Sequence, residues 1–325
     1  MSCLEVMQHP AVSAWMRFNG EGLAPSHVEP LKGATRRRSV FRLHGVGTVG
    51  RPVIAKRCYL STGRVEDFLY RQILPQLPVS APRYYGYARD DEQLCWLFLE
   101  DIGDQRIDHS DPEQQAAVST WLGRLHANAA VVKPAGLADR GPGHYFNHLD
   151  SGRKNILDNL GNPVLSEEDR TVLLAAAKRL DEIAACWDRV AAACEEIPCT
   201  LVHGDFRPKN VFVRQEAGGS VIYPLDWEMA GWGVPAPDLA PSRDRYAGSL
   251  INLEIYRQIV AAAWPNMDKP QLERMVVIGY LFRRLAAVAW ASMSLPYDST
   301  AKAVSLLDTY EKNLAVAIRA GYWSC

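Results

Sequence analysis

Long apolar runs, paired cysteines and a surplus of charge of either sign are all missing from this sequence of 325 residues. It shows no stretch of about 18 apolar residues, the length a bilayer-spanning helix needs, so no membrane span is expected. Met1 to Met16 carries Glu5, His9 and Pro10 and lacks the apolar centre of a secretory leader, so a cytoplasmic location is expected. Lys and Arg number 36 against 37 Asp and Glu, for a net charge of -1. That balance gives no long-range pull toward nucleic acid or an anionic membrane, and neither is expected as a partner. The run Arg36-Arg37-Arg38 is local and reads as a solvated turn. The seven cysteines are odd in number, scattered and without a C-x-x-C pair, which excludes the usual zinc and redox spacings and leaves reduced thiols. Internal repeats and low-complexity tracts are absent, and nothing in the sequence specifies an oligomeric state.

What is present reads as an ordinary globular chain long enough for two domains. The first hundred residues read as strands with one helix. Ser39 to His44 alternates in polarity, and Arg51 to Tyr59 is short and β-branched; together they predict a hairpin. Val65 to Leu77 places Val65, Phe68, Leu69, Ile73 and Leu77 on one helical face. Tyr84 to Tyr87 and Leu94 to Leu99 predict two more strands. After Glu100 the pattern turns helical. A helix starts at Asp111-Pro112, and Ser166 to Asp169 reads as a capping box opening one long helix with an apolar stripe from Leu173 to Cys194. The fold class expected is α+β, with a small antiparallel sheet and one helix in residues 1–100 and a mainly helical domain in residues 101–325.

Chemistry concentrates in Leu201 to Val213 and Val221 to Glu228. Asp205 and Asn210 lie in a segment containing Gly204 and Pro208, hence a loop. Val211 to Arg214 and Val221 to Leu225 read as two strands joined at Gly218-Gly219, and a hairpin brings its ends together. Asp226 is therefore expected beside Asn210 and Asp205. Two carboxylates and an amide oxygen suit a hard cation such as Mg²⁺, which takes one or two protein carboxylates and otherwise water and substrate phosphates. One Asp and the Asn can hold the metal, leaving the other Asp to accept a proton. Arg207 can set a fixed positive charge near a transferring phosphate.

His203 to Asn210 resembles the H-G-D-x-x-x-x-N loop of the aminoglycoside phosphotransferase and choline kinase superfamily, and is similar to the H-R-D-x-x-x-x-N loop of protein kinases. Asp226-Trp227-Glu228 looks like that family's counterpart of D-F-G. The resemblance implies a protein-kinase-like, two-lobed fold. It implies Asp205 as base, Asn210 and Asp226 as Mg²⁺ ligands, and His203 as a brace of the loop. Val53 to Lys56 ends a strand as the kinase V-A-I-K does, which implies that Lys56 contacts the phosphates of ATP and that Glu66 fixes it. Leu31 to Ser39, around Gly33, stands where the phosphate-covering loop belongs. Leu97 to Ile102 looks like the hinge, whose backbone at Glu100 and Ile102 would hold adenine. His126 reads as a packing histidine, and Asp238 as an N-cap or a brace of the catalytic loop. The segment around Gly33 lacks the G-x-G-x-x-G of protein kinases, Asp226 is followed by Trp227 and Glu228 rather than Phe-Gly, and there is no A-P-E activation segment, which favours a small-molecule hydroxyl acceptor over a protein. An aminoglycoside-like antibiotic, an amino alcohol and a sugar are the candidate acceptors. A protein kinase, a non-catalytic nucleotide-binding scaffold and nucleotidyl transfer are the alternatives.

Overall fold

The structure is a computed structural model and describes residues 3–20, 24–35, 38–240, 250–321 and 323. The chain opens with α1 (Cys3–Met7), α2 (Pro10–Asn19), β1 (His27–Thr35), β2 (Arg38–His44), β3 (Val53–Tyr59), α3 (Leu60–Phe68), β4 (Tyr84–Arg89) and β5 (Leu94–Glu100). α4 (Pro112–Val132), β6 (Asp139–Arg140), α5 (Pro142–Asp158), α6 (Glu167–Ala185), α7 (Trp187–Glu195) and β7 (Thr200–Val202) follow. Then come β8 (Val211–Glu216), β9 (Gly219–Pro224), β10 (Gly231–Gly233), α8 (Ala236–Leu239), α9 (Leu253–Val260), α10 (Lys269–Ser292) and α11 (Ala301–Ala320). Arg36 and Arg37 of the basic run lie outside the described residues.

Two compact units divide the chain: Met1–Trp121 with Pro208–Met229, and Leu122–Arg207 with Ala230–Cys325. The sequence places the boundary near residue 100. The first unit instead runs on to Trp121 and takes in the β8–β9 hairpin. Hydrogen bonds explain the difference. Val213 N–H donates to Gln105 O at 3.0 Å, Ile107 N–H to Val211 O at 3.2 Å, and Trp121 Nε1–H to Ser80 O at 2.9 Å.

The first unit is built on a five-stranded antiparallel sheet in the order β1-β2-β3-β5-β4. β2 and β3 pair as the expected hairpin, with Leu43 opposite Val53. Side chains alternate across a strand, so β3 offers Val53 and Ala55 to one face and Lys56 and Cys58 to the other. The first face packs on α2 through Trp15, whose ring meets Phe98 edge-on at 5.1 Å. Each fully buried large apolar side chain here contributes about 1.5–3 kcal/mol. The second face is covered by α3. Gly63 lets the helix press onto the sheet, since a Cβ there would stand 2.2 Å from Cys95 Sγ. With both faces covered, β5 is buried from Leu94 to Leu99 rather than alternating. The helix expected from Val65 begins earlier, at Leu60, and continues past Phe68 as a wide turn to Ile73 and a tight one to Gln76. Of the segment Leu31 to Ser39, assigned to the phosphate-covering loop, Leu31 to Thr35 lies in β1 and Arg38 and Ser39 in β2, with Lys32 opposite Val40 and Thr35 opposite Arg38.

The second unit is mainly helical. α10 packs against α5, α11 and α8. Gly279 permits the last contact: a Cβ there would lie 1.9 Å from Ala236 O. α10 corrects one expectation, because it is long and apolar enough to cross a membrane by length and composition, with a mean hydropathy of 1.3. Of that stretch, 67% is buried inside the protein, which is the pattern of a core helix. The capping box at Ser166 is present, Asp169 N–H donating to Ser166 Oγ at 3.1 Å. The single long helix is not. The chain breaks at Cys186 (φ -110, ψ 15) and restarts as α7, although the apolar spacing runs on through Trp187, Val190 and Cys194. No glycine or proline marks the break. A short sheet in the order β6-β10-β7 completes the unit. Cys58, Cys95, Cys186, Cys194 and Cys199 are free thiols, as expected.

Candidate active site

Lys56 faces the second side of the first unit's sheet, and α3 sets Glu66 against it. Lys56 Nζ donates to Glu66 Oε1 at 2.6 Å and to Asp226 Oδ1 at 2.5 Å. Glu66 is almost wholly buried, at 1% exposure, so its charge depends on this partner. Burial works against charge at both groups. At Lys56 the carboxylates of Glu66 and Asp226 outweigh burial and hold the ammonium above the ordinary lysine range. At Glu66 burial leads, ahead of the attraction to Lys56, and its pKa is raised.

Asp226 reaches Lys56 because of the β8–β9 hairpin. Val211 pairs with Pro224, and Leu225 N–H donates to Asn210 O at 2.9 Å, which brings the two ends of the hairpin together. Asp226 itself has φ 71. That left-handed conformation costs a non-glycine residue about 1 kcal/mol and is retained where the site dictates it. Lys56, Glu66, Asn210 and Asp226 all line one cleft of the first unit, of about 930 Å³ including its open mouth. The size falls within the range of small-molecule sites. Val40, Ile54, Leu99 and Phe212 supply apolar walls beside these charged groups.

Glu100 and Ile102 also line this cleft. Their backbones differ. Glu100 N–H is committed to Arg83 O at 2.8 Å, and its carboxylate accepts from Arg214 Nη1 at 3.0 Å. Ile102 has neither its N–H nor its C=O bonded to another described residue, so it offers a free backbone edge beside the apolar walls. Gly33 lies toward the end of β1, between pairings whose register shifts.

Among the described residues no three His, Cys, Asp or Glu side chains cluster as a metal site. Where the ends of the β8–β9 hairpin meet, the cleft gives instead one carboxylate, Asp226, and one amide, Asn210. That donor set fits a cation that keeps most of its coordination for water and phosphate, as Mg²⁺ does, and does not fit zinc.

Asp205 and Arg207 belong to the second unit. β7 leads into the loop that carries them, and Gly204 takes φ 77 at its turn. The loop is held from beneath by Asp238, which is buried in α8 and accepts from His203 N–H at 2.6 Å and Gly204 N–H at 2.9 Å. His126 Nε2 lies 3.4 Å from the same carboxylate, and His126 Nδ1 lies 2.8 Å from Tyr256 Oη. Burial alone would raise the Asp238 pKa; His126 and His203 outweigh it and hold the carboxyl below the ordinary range. His203 is buried and braces the loop as expected, its Nδ1 accepting from Asp205 N–H at 3.3 Å. The Arg207 guanidinium forms an ion pair with Asp205. The expectation set Arg207 toward a phosphate; the structure sets it on the carboxylate instead.

Arg283 was not singled out by the sequence. Its Nη2 donates to Phe206 O at 3.0 Å and its Nη1 to Ala240 O at 2.5 Å, tying α10 to the loop immediately after Asp205. Burial lowers its pKa to about 10, against the pull of Asp238, which leaves it charged at neutral pH. A basic residue inside an apolar helix was the one signal available for it.

The phosphotransferase enzyme family model matches residues 28–272. No curated protein sequence matches the chain. Solved structures do. A putative aminoglycoside phosphotransferase from Ralstonia eutropha JMP134 is 17% identical at a TM-score of 0.63, over 97% of this chain and 98% of that one. The GDP and kanamycin complex of the aminoglycoside phosphotransferase APH(2")-IIIa is 15% identical at 0.61, over 93% and 98%. A choline kinase from Cryptosporidium parvum Iowa II is 12% identical at 0.60, over 91% and 90%. These likenesses establish the α+β, protein-kinase-like fold. With three quarters of its length matched by the family model, the chain belongs to the phosphotransferase enzyme family.

Proposed function

We propose that this protein transfers the γ-phosphoryl group of ATP to a hydroxyl of a small molecule, with Mg²⁺ as the metal. The observation that carries the reading is Lys56 held between Glu66 and Asp226 in a cleft that also has apolar walls. An ammonium fixed by a buried carboxylate is a pre-positioned contact for phosphate oxygens and needs no reorganisation when the nucleotide arrives. Lys56, Glu66 and Asp226 together carry a net charge of one negative unit. A polyphosphate would be repelled by that sum, so a divalent cation entering with it resolves the electrostatics.

Asp226 and Asn210 would hold that cation, which when bound neutralises the phosphates and orients them. Ile102 offers backbone hydrogen bonds to the base, and Glu100 lines the same cleft. Gly33, in β1, lies in the segment assigned to cover the phosphates. Asp205 accepts the proton of the acceptor hydroxyl as its oxygen bonds to the γ-phosphorus and the bond from that phosphorus to the departing ADP oxygen breaks. Arg207 keeps the Asp205 carboxylate oriented and stabilises charge as it develops. Catalysis of this kind is largely positioning and electrostatics.

A small acceptor is favoured over a protein because only Ala230 to Pro235 separate the turn after Asp226 from α8, and β10, which lies in that span, is paired on both sides. That leaves no length for an activation segment. The GDP seen in a structural neighbour makes GTP the competing donor. The test is nucleotide consumption over aminoglycosides, amino alcohols and sugars, with the product identified by mass. A phosphorylated acceptor with release of nucleoside diphosphate supports the reading. A nucleotidylated acceptor with release of pyrophosphate overturns it.

A further inference from the structure

We infer that Arg106 is a phosphate-binding residue of the first unit's cleft, a role that rests on the nucleotide reading of that cleft. Two arginines, Arg42 and Arg214, bond acidic residues that line the cleft, and a third, Arg106, lines it directly. Arg42 is saturated: its Nε donates to Asp101 Oδ2 at 2.6 Å, Nη1 to Glu29 Oε2 at 3.2 Å and Nη2 to Asp104 Oδ1 at 3.0 Å. Arg214 donates to Glu100 Oε1 and to Asp101 O, each at 3.0 Å. Arg106 differs. Its guanidinium lies over Phe212, with Cζ 3.8 Å from the ring centroid, and among the described residues its side chain has no hydrogen-bond or ion-pair partner.

The side chain is held, not loose. Arg106 forms a β-bridge with Phe212, and the flanking Gln105 and Ile107 bond the β8 backbone, so the root of the side chain is fixed on the cleft wall. Arg106 lines the same cleft as Lys56 and Asp226. Partial burial lowers its pKa, while the carboxylates of Asp104 and Asp226 push the other way, so the field of Asp226 reaches it. Five N–H donors in a planar fork match phosphate oxygens in pairs. Lys56 is already shared by two carboxylates, whereas the Arg106 guanidinium has donors to spare among the described residues. An arginine stacked on an aromatic ring is common on protein surfaces. What sets this one apart is its place in the cleft wall with its polar edge unspent.

The test is calorimetric binding of Mg·ATP, ADP and adenosine to the wild type, Arg106→Ala and Arg106→Met, the last keeping the contact with Phe212 while removing the charge. Both variants are expected to lose about tenfold or more in affinity for ATP and ADP, the scale of a charge-assisted hydrogen bond, and to bind adenosine within about twofold of the wild type. Unchanged ATP affinity would overturn the inference, as would an equal loss for adenosine, which would make Arg106 a stacking residue. A wild type that binds neither ATP nor GTP would remove the reading of the cleft itself, and the inference with it. A wild type that binds while the variants match it removes the Arg106 assignment alone.

Discussion

Lys56 and Glu66 form an ion pair of 2.6 Å in which the carboxylate is 1% exposed and its second oxygen, Oε2, has no hydrogen-bond partner. The pair is therefore asymmetric: Lys56 has Asp226 as well, while Glu66 depends on Lys56. Removing Lys56 strands a buried charge. Removing both charges does not.

This asymmetry predicts a double-mutant outcome. Lys56→Met should destabilise the protein by about 3 kcal/mol, the scale of a buried pair broken from one side. Glu66→Gln should cost less, and adding it to Lys56→Met should recover most of the loss. Phosphotransfer should remain abolished in the double variant. Urea unfolding beside a turnover assay checks both halves. Additive stability losses would contradict the account.

Asp205→Ala should lower kcat by at least about a hundredfold, the lower end of general-base help, while nucleotide affinity stays within about threefold. Arg207 pairs with this carboxylate, so Arg207→Ala should also lower kcat, by less. Steady-state kinetics with calorimetry separates chemistry from binding. Near-normal turnover by Asp205→Ala would remove it as the base.

Asp238 gives a pH signature. Its folded pKa lies below its unfolded value of about 4, so its ionisation contributes stability that is full above about pH 4 and lost as pH falls through the folded pKa. Asp238→Asn should therefore be less stable than the wild type at pH 7, by about 1–3 kcal/mol for a buried acceptor replaced in part by a donor. The difference should shrink between pH 5 and pH 3. Because Asp238 holds the His203 and Gly204 amides, kcat should fall as well, with nucleotide affinity unchanged. Denaturant unfolding at pH 7, 5 and 3 measures the effect, and a gap independent of pH would contradict it.

Much of this site was legible because its parts are local. Val53 to Lys56 alternates as a strand must, Asp205 and Asn210 sit at fixed spacing in one loop, and a short hairpin brings Asn210 and Asp226 together whatever surrounds it. What stayed hidden depends on distant partners. The bond from Arg283 to Phe206 O spans 77 positions, and the Tyr256–His126 contact spans 130, so no local pattern announces them. The break at Cys186 is likewise tertiary, since the apolar spacing continues across it. Leu31 to Ser39 is assigned to a phosphate-covering loop by resemblance, and the pairing of Lys32 and Thr35 with β2 shows that β1 reaches into that segment. α10 escaped notice as an apolar run because Arg283 and Arg284 interrupt it, and Arg284 is itself buried, over the ring of Tyr280 at 4.8 Å.

The central claim is that Asp226 brings a divalent cation into a cleft where Lys56 already waits for phosphate. Titration of ATP into the wild type and Asp226→Ala, each with Mg²⁺ and with a chelator, tests it most directly. The account predicts that Mg²⁺ tightens binding to the wild type by about tenfold or more and has little effect on the variant, a gap set by one charge-assisted contact. Equal ATP affinity for the wild type with and without Mg²⁺, or an equal gain from Mg²⁺ in Asp226→Ala, would contradict it.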